Sequence, residues 1–222
     1  MALQGVSSSS LSLILTILVV AVSLYTGSAL TQQQNVVKEK LKVMVLYESL
    51  CPDSIRFIEA QLGPNYDGLK DYIDITLVPF GKSKSINNAG LVQFFCQHGP
   101  KECEGNREQL CVLQQTTDQE TQVNFVVCQM RKRVITDIRE CAESLGLSSD
   151  IDACMHNGLG TTLQLEAERV TYLYKPQFVP TIVYDGVFDQ QLQDNSLRDF
   201  RGTVCYLLQR RGDISFHSEV CQ

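Results

Sequence analysis

The sequence lacks the surplus of positive charge that nucleic-acid-binding and lipid-binding proteins carry. Its 222 residues contain 19 Lys and Arg against 25 Asp and Glu, so the formal net charge is -6 at pH 7. A chain with this balance has no large electrostatic footprint for nucleic acid or an anionic membrane surface. We therefore expect no nucleic acid among its partners.

The sequence also lacks any Asn-x-Ser/Thr sequon, since even Asn195-Ser196 is followed by Leu197. It offers no acceptor for an N-linked glycan. No internal repeat is evident. The 44% hydrophobic and 20% charged content is typical of a globular protein, and the length suits one moderately large domain with a substantial core.

The first 29 residues differ from the rest. Leu11 to Tyr25 is an uncharged run, no Lys or Arg precedes it, and small residues follow up to Ala29. This pattern predicts a secretory signal peptide over residues 1–29. An uncleaved signal anchor is the alternative, because the run reaches about 20 residues if polar members are counted. Interrupting serines favour cleavage, after which we expect no membrane contact. A polar linker, residues 30–40, follows.

Nine cysteines follow the linker. In an exported chain they enter an oxidising compartment, where cysteines pair, and an odd number leaves at least one thiol over. Cys51 stands far upstream of the others, so setting it aside leaves an even set for four bridges. Spacing does not choose their pairing. The eight predicted structural disulfide cysteines are Cys96, Cys103, Cys111, Cys128, Cys141, Cys154, Cys205 and Cys221.

The segment after the linker predicts a parallel strand-helix-strand unit. Leu41 to Tyr47 is apolar and rich in β-formers, and residues 51–62 carry apolar side chains at helical spacing. Gly63-Pro64 is predicted to end this helix, and a second strand begins at Tyr72. We expect residues 41–222 to form a single α/β domain.

A mostly helical, cysteine-rich insertion is predicted at about residues 81–157. Residues 122–134 and 137–147 carry apolar residues at helical spacing, and Gly146 is a plausible stop. The predicted domain resumes with a helix over residues 160–174.

The C-terminal part returns to a strand and ends on a helix. Residues 178–184 predict a strand, Asp185-Gly186 a hairpin turn, and residues 187–188 a short partner strand. Residues 195–211 predict the last helix.

This order of elements resembles the thioredoxin fold with an inserted helical domain. Cys51 would begin a helix, where unpaired N–H groups and the helix dipole favour thiolate over thiol. The resemblance places a cis-proline loop, here Val179-Pro180, beside that cysteine to pair with a substrate peptide. Each feature alone has an ordinary alternative: Cys51 as a small buried residue and Pro180 as a trans-proline at a strand start.

A motif after the second strand carries a closer resemblance. The stretch "CQHGPKECEGNREQLC" is similar to the signature Cys-Gln-His-Gly-x2-Glu-Cys-x2-Asn-x4-Cys of the gamma-interferon-inducible lysosomal thiol reductase (GILT) family. Eight specified positions match: Cys96, Gln97, His98, Gly99, Glu102, Cys103, Asn106 and Cys111. With Cys51 and Pro180, the resemblance covers essentially the whole chain after the predicted signal peptide.

The resemblance implies a disulfide reductase with Cys51 as nucleophile and a small-molecule thiol as reductant, without any other cofactor. Its substrates would be disulfide-bonded proteins. Reductase members of the family have Cys-x-x-Cys, but Ser54 occupies the second position here. A serine cannot resolve a mixed disulfide, so release falls to an external thiol. The alternatives are a disulfide isomerase, in which the substrate's second cysteine performs the release, and a binding or covalent-trapping protein.

Two further interpretations concern the motif itself. Cys96, His98, Cys103 and Cys111 are of the residue types that bind zinc, although disulfides are the expected state of cysteines in an exported protein. For His98 the alternatives are a catalytic base and a structural role.

The predicted compartment is the secretory pathway. Lysosomal members of the family are delivered through N-linked sugars, and no sequon is present to carry them. Both a lysosomal and a secreted location therefore remain open.

Overall fold

The computed structural model describes residues 39–131, 138–215 and 217–222. The predicted signal peptide and residues 30–38 of the predicted linker lie outside these ranges. Within the described part of the chain, no helix has the length and apolar character needed to cross a membrane.

A three-stranded sheet forms the centre of the domain, with the first strand of the chain between the other two. Strand β1 (Leu41–Tyr47) pairs in parallel with β2 (Ile73–Pro79), with Leu41 opposite Ile73. Strand β5 (Thr181–Tyr184) pairs antiparallel with the other edge of β1, with Met44 opposite Val183. The predicted parallel strand-helix-strand unit is confirmed.

The helical segment between β1 and β2 is longer than predicted. It consists of α1 (Pro52–Phe57), a π-helical turn (Ile58–Leu62) and α2 (Gly63–Leu69). Gly63-Pro64 does not end it, so that prediction was wrong. The Gly63 N–H bonds to the Ile58 carbonyl in the wider π turn, and Pro64 falls in the first turn of α2, where a missing N–H costs little.

Close packing accounts for Gly63. A β-carbon there would lie 3.0 Å from Val127 Cγ1 on the helix that spans Gln119–Arg131. The glycine therefore allows the two helices to pack closely and does not terminate its own helix.

The predicted insertion is mostly helical, but it begins with two strands that the sequence did not predict. Strands β3 (Lys84–Asn88) and β4 (Leu91–Phe95) form an antiparallel hairpin. Four helices follow: α3 (Pro100–Leu113), α4 (Gln119–Arg131), α5 (Ile138–Ser144) and α6 (Asp152–His156). Helices α4 and α5 correspond to the two predicted at residues 122–134 and 137–147, of which residues 132–137 lie outside the described ranges.

The C-terminal part supplies helix α7 (Leu159–Tyr174), strand β5, and helices α8 (Gln190–Ser196) and α9 (Phe200–Arg210). A short 3-10 helix (Glu219–Cys221) ends the chain.

Two predictions for this part need correction. Asp185 and Gly186 do form a tight turn with positive φ angles, but the partner strand at residues 187–188 is only a single bridge between Tyr184 and Val187. The predicted last helix, residues 195–211, is divided because the Asp199 side chain accepts from the Gly202 N–H and begins α9 anew.

The helices pack their apolar side chains against the sheet to form the main core. Val45 and Ile182 of the sheet and Ile58 of the π turn are fully buried there. The rings of Phe57 and Phe200 meet edge to face with centroids 5.6 Å apart.

Four disulfide bridges tie the chain: Cys96–Cys103, Cys111–Cys154, Cys128–Cys141 and Cys205–Cys221. Cys51 is the free cysteine. The structure thus establishes the disulfide connectivity, which the spacing of the cysteines left open.

Candidate active site

Cys51 lies in the connection from β1 to α1, at the N-cap position of the helix. Its carbonyl accepts from the Ile55 N–H at 2.9 Å, and its own N–H donates to the Glu48 carbonyl at 3.3 Å. Pro52 occupies the first helical position, where its lack of an N–H is tolerated. Cys51 is 6% exposed, so only a small part of its surface is accessible to a reacting group.

The structure brings Cys51 together with the predicted proline loop. The Cys51 thiol donates to the Val179 carbonyl over 3.7 Å, although the two residues are 128 positions apart in sequence. The Val179-Pro180 peptide bond is cis. The free sulfur and the backbone just before Pro180 therefore form one site.

Helix α8, which the sequence did not predict, holds this loop through Gln193. The buried amide donates to the Pro180 carbonyl at 2.9 Å and accepts from the Ile182 N–H at 2.8 Å. The Asp189 cap at the start of α8, which accepts from the Leu192 N–H, was the local signal that could have located the helix.

Ser54 is completely buried in the first turn of α1. Its hydroxyl oxygen accepts from the Glu48 N–H at 3.3 Å. The side chain at the second position of the Cys-x-x-Ser motif thus fastens the loop before Cys51.

Helix α3 supports the same loop with one buried polar face. The Tyr47 hydroxyl donates to Gln109 Oε1 at 2.6 Å, and the Ser49 N–H donates to Asn106 Oδ1 at 2.9 Å. The Ser49 hydroxyl donates to the Glu102 carbonyl at 3.2 Å. Because Glu102, Asn106 and Gln109 recur at helical spacing, a single helix face fixes the end of β1 and the approach to Cys51.

An acidic pair and a histidine lie beside this support. His98 Nδ1 is 2.6 Å from Glu102 Oε2 and 3.6 Å from Glu48 Oε2. Glu48 Oε1 accepts from the Lys82 N–H at 2.7 Å. Burial first, and then the charge of Glu102, raise the pKa of Glu48 to about 7. The Glu48 carboxyl therefore keeps its proton in mildly acidic solution.

Two cavities border the residues next to Cys51. One of about 500 Å³ is lined by Leu50, Pro52, Ile55, Arg56, Glu59, Ala60 and His98. The other, of about 230 Å³, is lined by Asp53, Arg56, Phe57, Phe178, Val179, Pro180 and Leu197. Both offer mixed polar and apolar walls beside the site.

Comparison with protein families matches residues 42–145 to the model "Gamma interferon inducible lysosomal thiol reductase (GILT)". A gamma-interferon-inducible lysosomal thiol reductase-like protein of Anopheles gambiae is 34% identical over 185 residues, which cover 76% of this chain and 77% of the relative. GILT-like protein 1 of Drosophila melanogaster is 31% identical over 185 residues, covering 75% and 74%. The chain belongs to the GILT family. It is therefore classed among the disulfide oxidoreductases.

Solved structures confirm the predicted α/β thioredoxin-like fold. A putative protein disulfide isomerase from Nitrosomonas europaea matches with a TM-score of 0.53 at 9% identity, over 78% of this chain and 99% of that one. A DsbA variant of Pseudomonas aeruginosa matches with a TM-score of 0.52 at 14% identity, over 79% and 89%. At such identities the likeness concerns the fold alone.

The GILT signature has a physical meaning in this structure. Its Glu and Asn positions are Glu102 and Asn106, which contact His98 and Ser49 respectively. Gly105 lies between them, and a β-carbon there would lie 2.8 Å from the Ser49 hydroxyl oxygen. The Cys96–Cys103 bridge closes the loop that carries His98. The signature thus builds the scaffold behind Cys51.

The alternative of a zinc site formed by Cys96, His98, Cys103 and Cys111 is wrong. All three of these cysteines are disulfide-bonded, and a disulfide sulfur carries no thiolate to bind the metal. His98 instead contacts the carboxylates of Glu48 and Glu102.

Proposed function

We propose that this GILT-family chain reduces protein disulfides by a monothiol mechanism, with Cys51 as nucleophile and a small external thiol as the releasing group. The observation that carries the proposal is that the first position of the Cys-x-x-Ser motif is the free cysteine and the second is a buried serine. The other eight cysteines are in disulfides.

In the first step the Cys51 thiolate attacks one sulfur of the substrate disulfide. The substrate S–S bond breaks, a mixed disulfide forms between Cys51 and the substrate, and the departing substrate thiolate takes a proton. The N-cap position of Cys51 at the start of α1 supports this role, because the N-terminus of a helix favours negative charge.

In the second step an external thiolate attacks the Cys51 sulfur and frees the second substrate thiol. A second external thiol then restores Cys51 and leaves as half of a small-molecule disulfide. Overall, one substrate disulfide gains two electrons and two external thiols lose them. Ser54 cannot perform this step, since a hydroxyl forms no disulfide.

The surroundings of Cys51 fit an extended peptide. The Val179 carbonyl lies at the sulfur, and exposed apolar side chains follow in sequence at Val187, Phe188 and Leu197. The rings of Phe178 and Phe188 are 6.0 Å apart between centroids. Apolar side chains become available beside a disulfide when a protein substrate is partly unfolded, so such proteins are the proposed substrates.

The proposed location is an oxidising or endolysosomal compartment of the secretory pathway. Four disulfides suit export, because cytosolic chains keep cysteines reduced. Relatives in Carassius auratus and Mus musculus are named lysosomal thiol reductases. We retain both a lysosomal and an extracellular site of action.

Alkylation of the native protein tests this proposal. We expect iodoacetamide to add one group per folded chain, at Cys51, and to abolish the acceleration of substrate reduction over the small thiol alone. Peptide mass mapping locates the group, and a gel shift of the disulfide-bonded substrate reports the rate. Full activity after complete alkylation of Cys51 would refute the proposal, as would a native protein that gives no acceleration.

A further inference from the structure

The cluster of Glu48, His98 and Glu102 combines the side chains that bind divalent cations. One ligand atom from each residue, His98 Nδ1 and a carboxylate oxygen from each glutamate, lies within 4.8 Å of the other two. Glu48 comes from the loop after β1, His98 from the loop after β4, and Glu102 from the first turn of α3. The fold thus brings two loops and the start of a helix together at one point.

A buried orphan oxygen sets this cluster apart from an ordinary surface ion pair. Glu48 is 0% exposed, and its Oε2 atom has no hydrogen-bond partner among the described residues. That atom faces His98 Nδ1 at 3.6 Å. An unpartnered carboxylate oxygen in the interior is costly, and a cation bound at this point would satisfy it.

The second oxygen of each of the two carboxylates is already held in place. Glu48 Oε1 accepts from the Lys82 N–H, and Glu102 Oε1 accepts from the His98 N–H at 3.0 Å. Backbone donors therefore orient both carboxylates and leave one oxygen of each directed at the imidazole. Metal sites use outer hydrogen bonds of this kind to orient their ligands.

We propose that Glu48, His98 and Glu102 form a zinc-binding site. Two carboxylates and an imidazole supply three ligands of a tetrahedral centre, with water as the fourth. At normal zinc distances, tetrahedral ligand atoms are about 3.3 Å apart. The 3.6 Å pair already fits this spacing, and the 2.6 Å pair must open as the ion replaces the hydrogen between His98 and Glu102.

Solvent access and ligand type support the choice of zinc. The His98 side chain is 37% exposed, and it borders the cavity of about 500 Å³ that Leu50 and Pro52 also line. An ion can enter there without unfolding the buried carboxylates. An imidazole ligand favours zinc over magnesium and calcium, which prefer all-oxygen sites.

The expected effect of zinc is to join the loop before Cys51 to helix α3. Glu48 lies three residues before Cys51, and Glu102 lies on the face of α3 that supports this loop. Bound zinc would add a link between them that the disulfides do not provide. Because the ion binds the folded state, it should raise the thermal midpoint, and the rise should grow with the logarithm of the free zinc concentration above the dissociation constant.

Zinc titration against a chromophoric chelator tests the site. The full chain is used without a histidine tag and with Cys51→Ser, so that no free thiol competes. In mildly alkaline buffer we expect one Zn²⁺ per chain, a rise in thermal midpoint, and no comparable binding of Mg²⁺. Glu48→Gln keeps the Lys82 contact, and we expect it to weaken binding at least ~10-fold.

Glu104→Gln is the matched control, because Glu104 is exposed on the same helix and should leave binding unchanged. Circular dichroism checks that each variant is folded. If Glu48→Gln fails to fold, His98→Gln serves as the second ligand variant, with the same expected loss. Absence of stoichiometric zinc binding, or equal affinity of the folded ligand variants and the control, would overturn the proposal.

Discussion

Replacing Cys51 by serine is expected to lower the rate of disulfide reduction to that of the small thiol alone, a loss of at least ~100-fold, because a hydroxyl cannot take the place of the nucleophilic thiol. Cys51 is the free cysteine, so no other thiol of the chain can take its place without breaking a disulfide. The substitution changes one atom at a site that is 6% exposed, and we expect little change in the fold. The measurement is the rate of substrate reduction at fixed thiol concentration.

Ser54→Ala is the matched control for this experiment. It removes a hydroxyl from the same helix turn and leaves Cys51 in place. Loss of the Glu48 N–H contact should cost about 1 kcal/mol of the free energy of unfolding, while reduction continues. Comparable activity of wild type and Cys51→Ser would exclude Cys51 as the nucleophile.

Ser54→Cys is expected to raise turnover at limiting external thiol, by about tenfold or more. A thiol fixed one helical turn from Cys51 resolves the mixed disulfide within the molecule, and neighbouring groups of this kind reach high effective concentrations. The introduced thiol should also form a disulfide with Cys51, seen as a loss of two hydrogens by intact mass. External thiol would then reduce this internal disulfide and regenerate the enzyme, and it would not have to react with the mixed disulfide between enzyme and substrate.

The double variant Cys51→Ser with Ser54→Cys controls for the added cysteine. It contains one thiol, as the wild type does, but at the buried position. We expect it to be inactive, since the Ser54 side chain is fully buried. A single Ser54→Cys variant that forms the new disulfide yet shows wild-type turnover would show that resolution does not limit the rate.

The sequence predicted the fold best where one physical signal dominated. The apolar run of β1 and the helical spacing after Pro52 indicated the first strand and helix, because burial selects those patterns. Gly63-Pro64 misled because the π turn accommodates the pair, and because the glycine is needed for close packing against Val127. The hairpin of β3 and β4 was missed since its strands are largely exposed and lack alternating polarity.

The sequence predicted the candidate site in part. Cys51 and Pro180 were proposed from their order along the chain, and the structure places the thiol against the Val179 carbonyl. The structural role of Ser54 was not predicted, because its contact with the Glu48 N–H depends on the conformation of the loop between β1 and α1. The sequence pattern indicates which residues can react, but it does not show which other residues hold them in position.

The supporting role of helix α3 was not predicted, although Glu102 and Asn106 are positions of the GILT signature. Glu102, Asn106 and Gln109 are polar residues at helical spacing, a pattern that usually marks a solvated helix face. Here that face is buried against Tyr47 and Ser49. Only the tertiary position of α3 distinguishes a buried polar network from a surface one.

Trapping the reaction between steps tests the monothiol account most directly. The reduced wild-type protein is mixed, without external thiol, with two peptides joined by a single disulfide, and intact mass is followed. We predict a stable adduct of one peptide per chain at Cys51, none with Cys51→Ser, and discharge only after a small thiol is added. Release of both peptides as free thiols before that addition, or no adduct at all, would contradict the account.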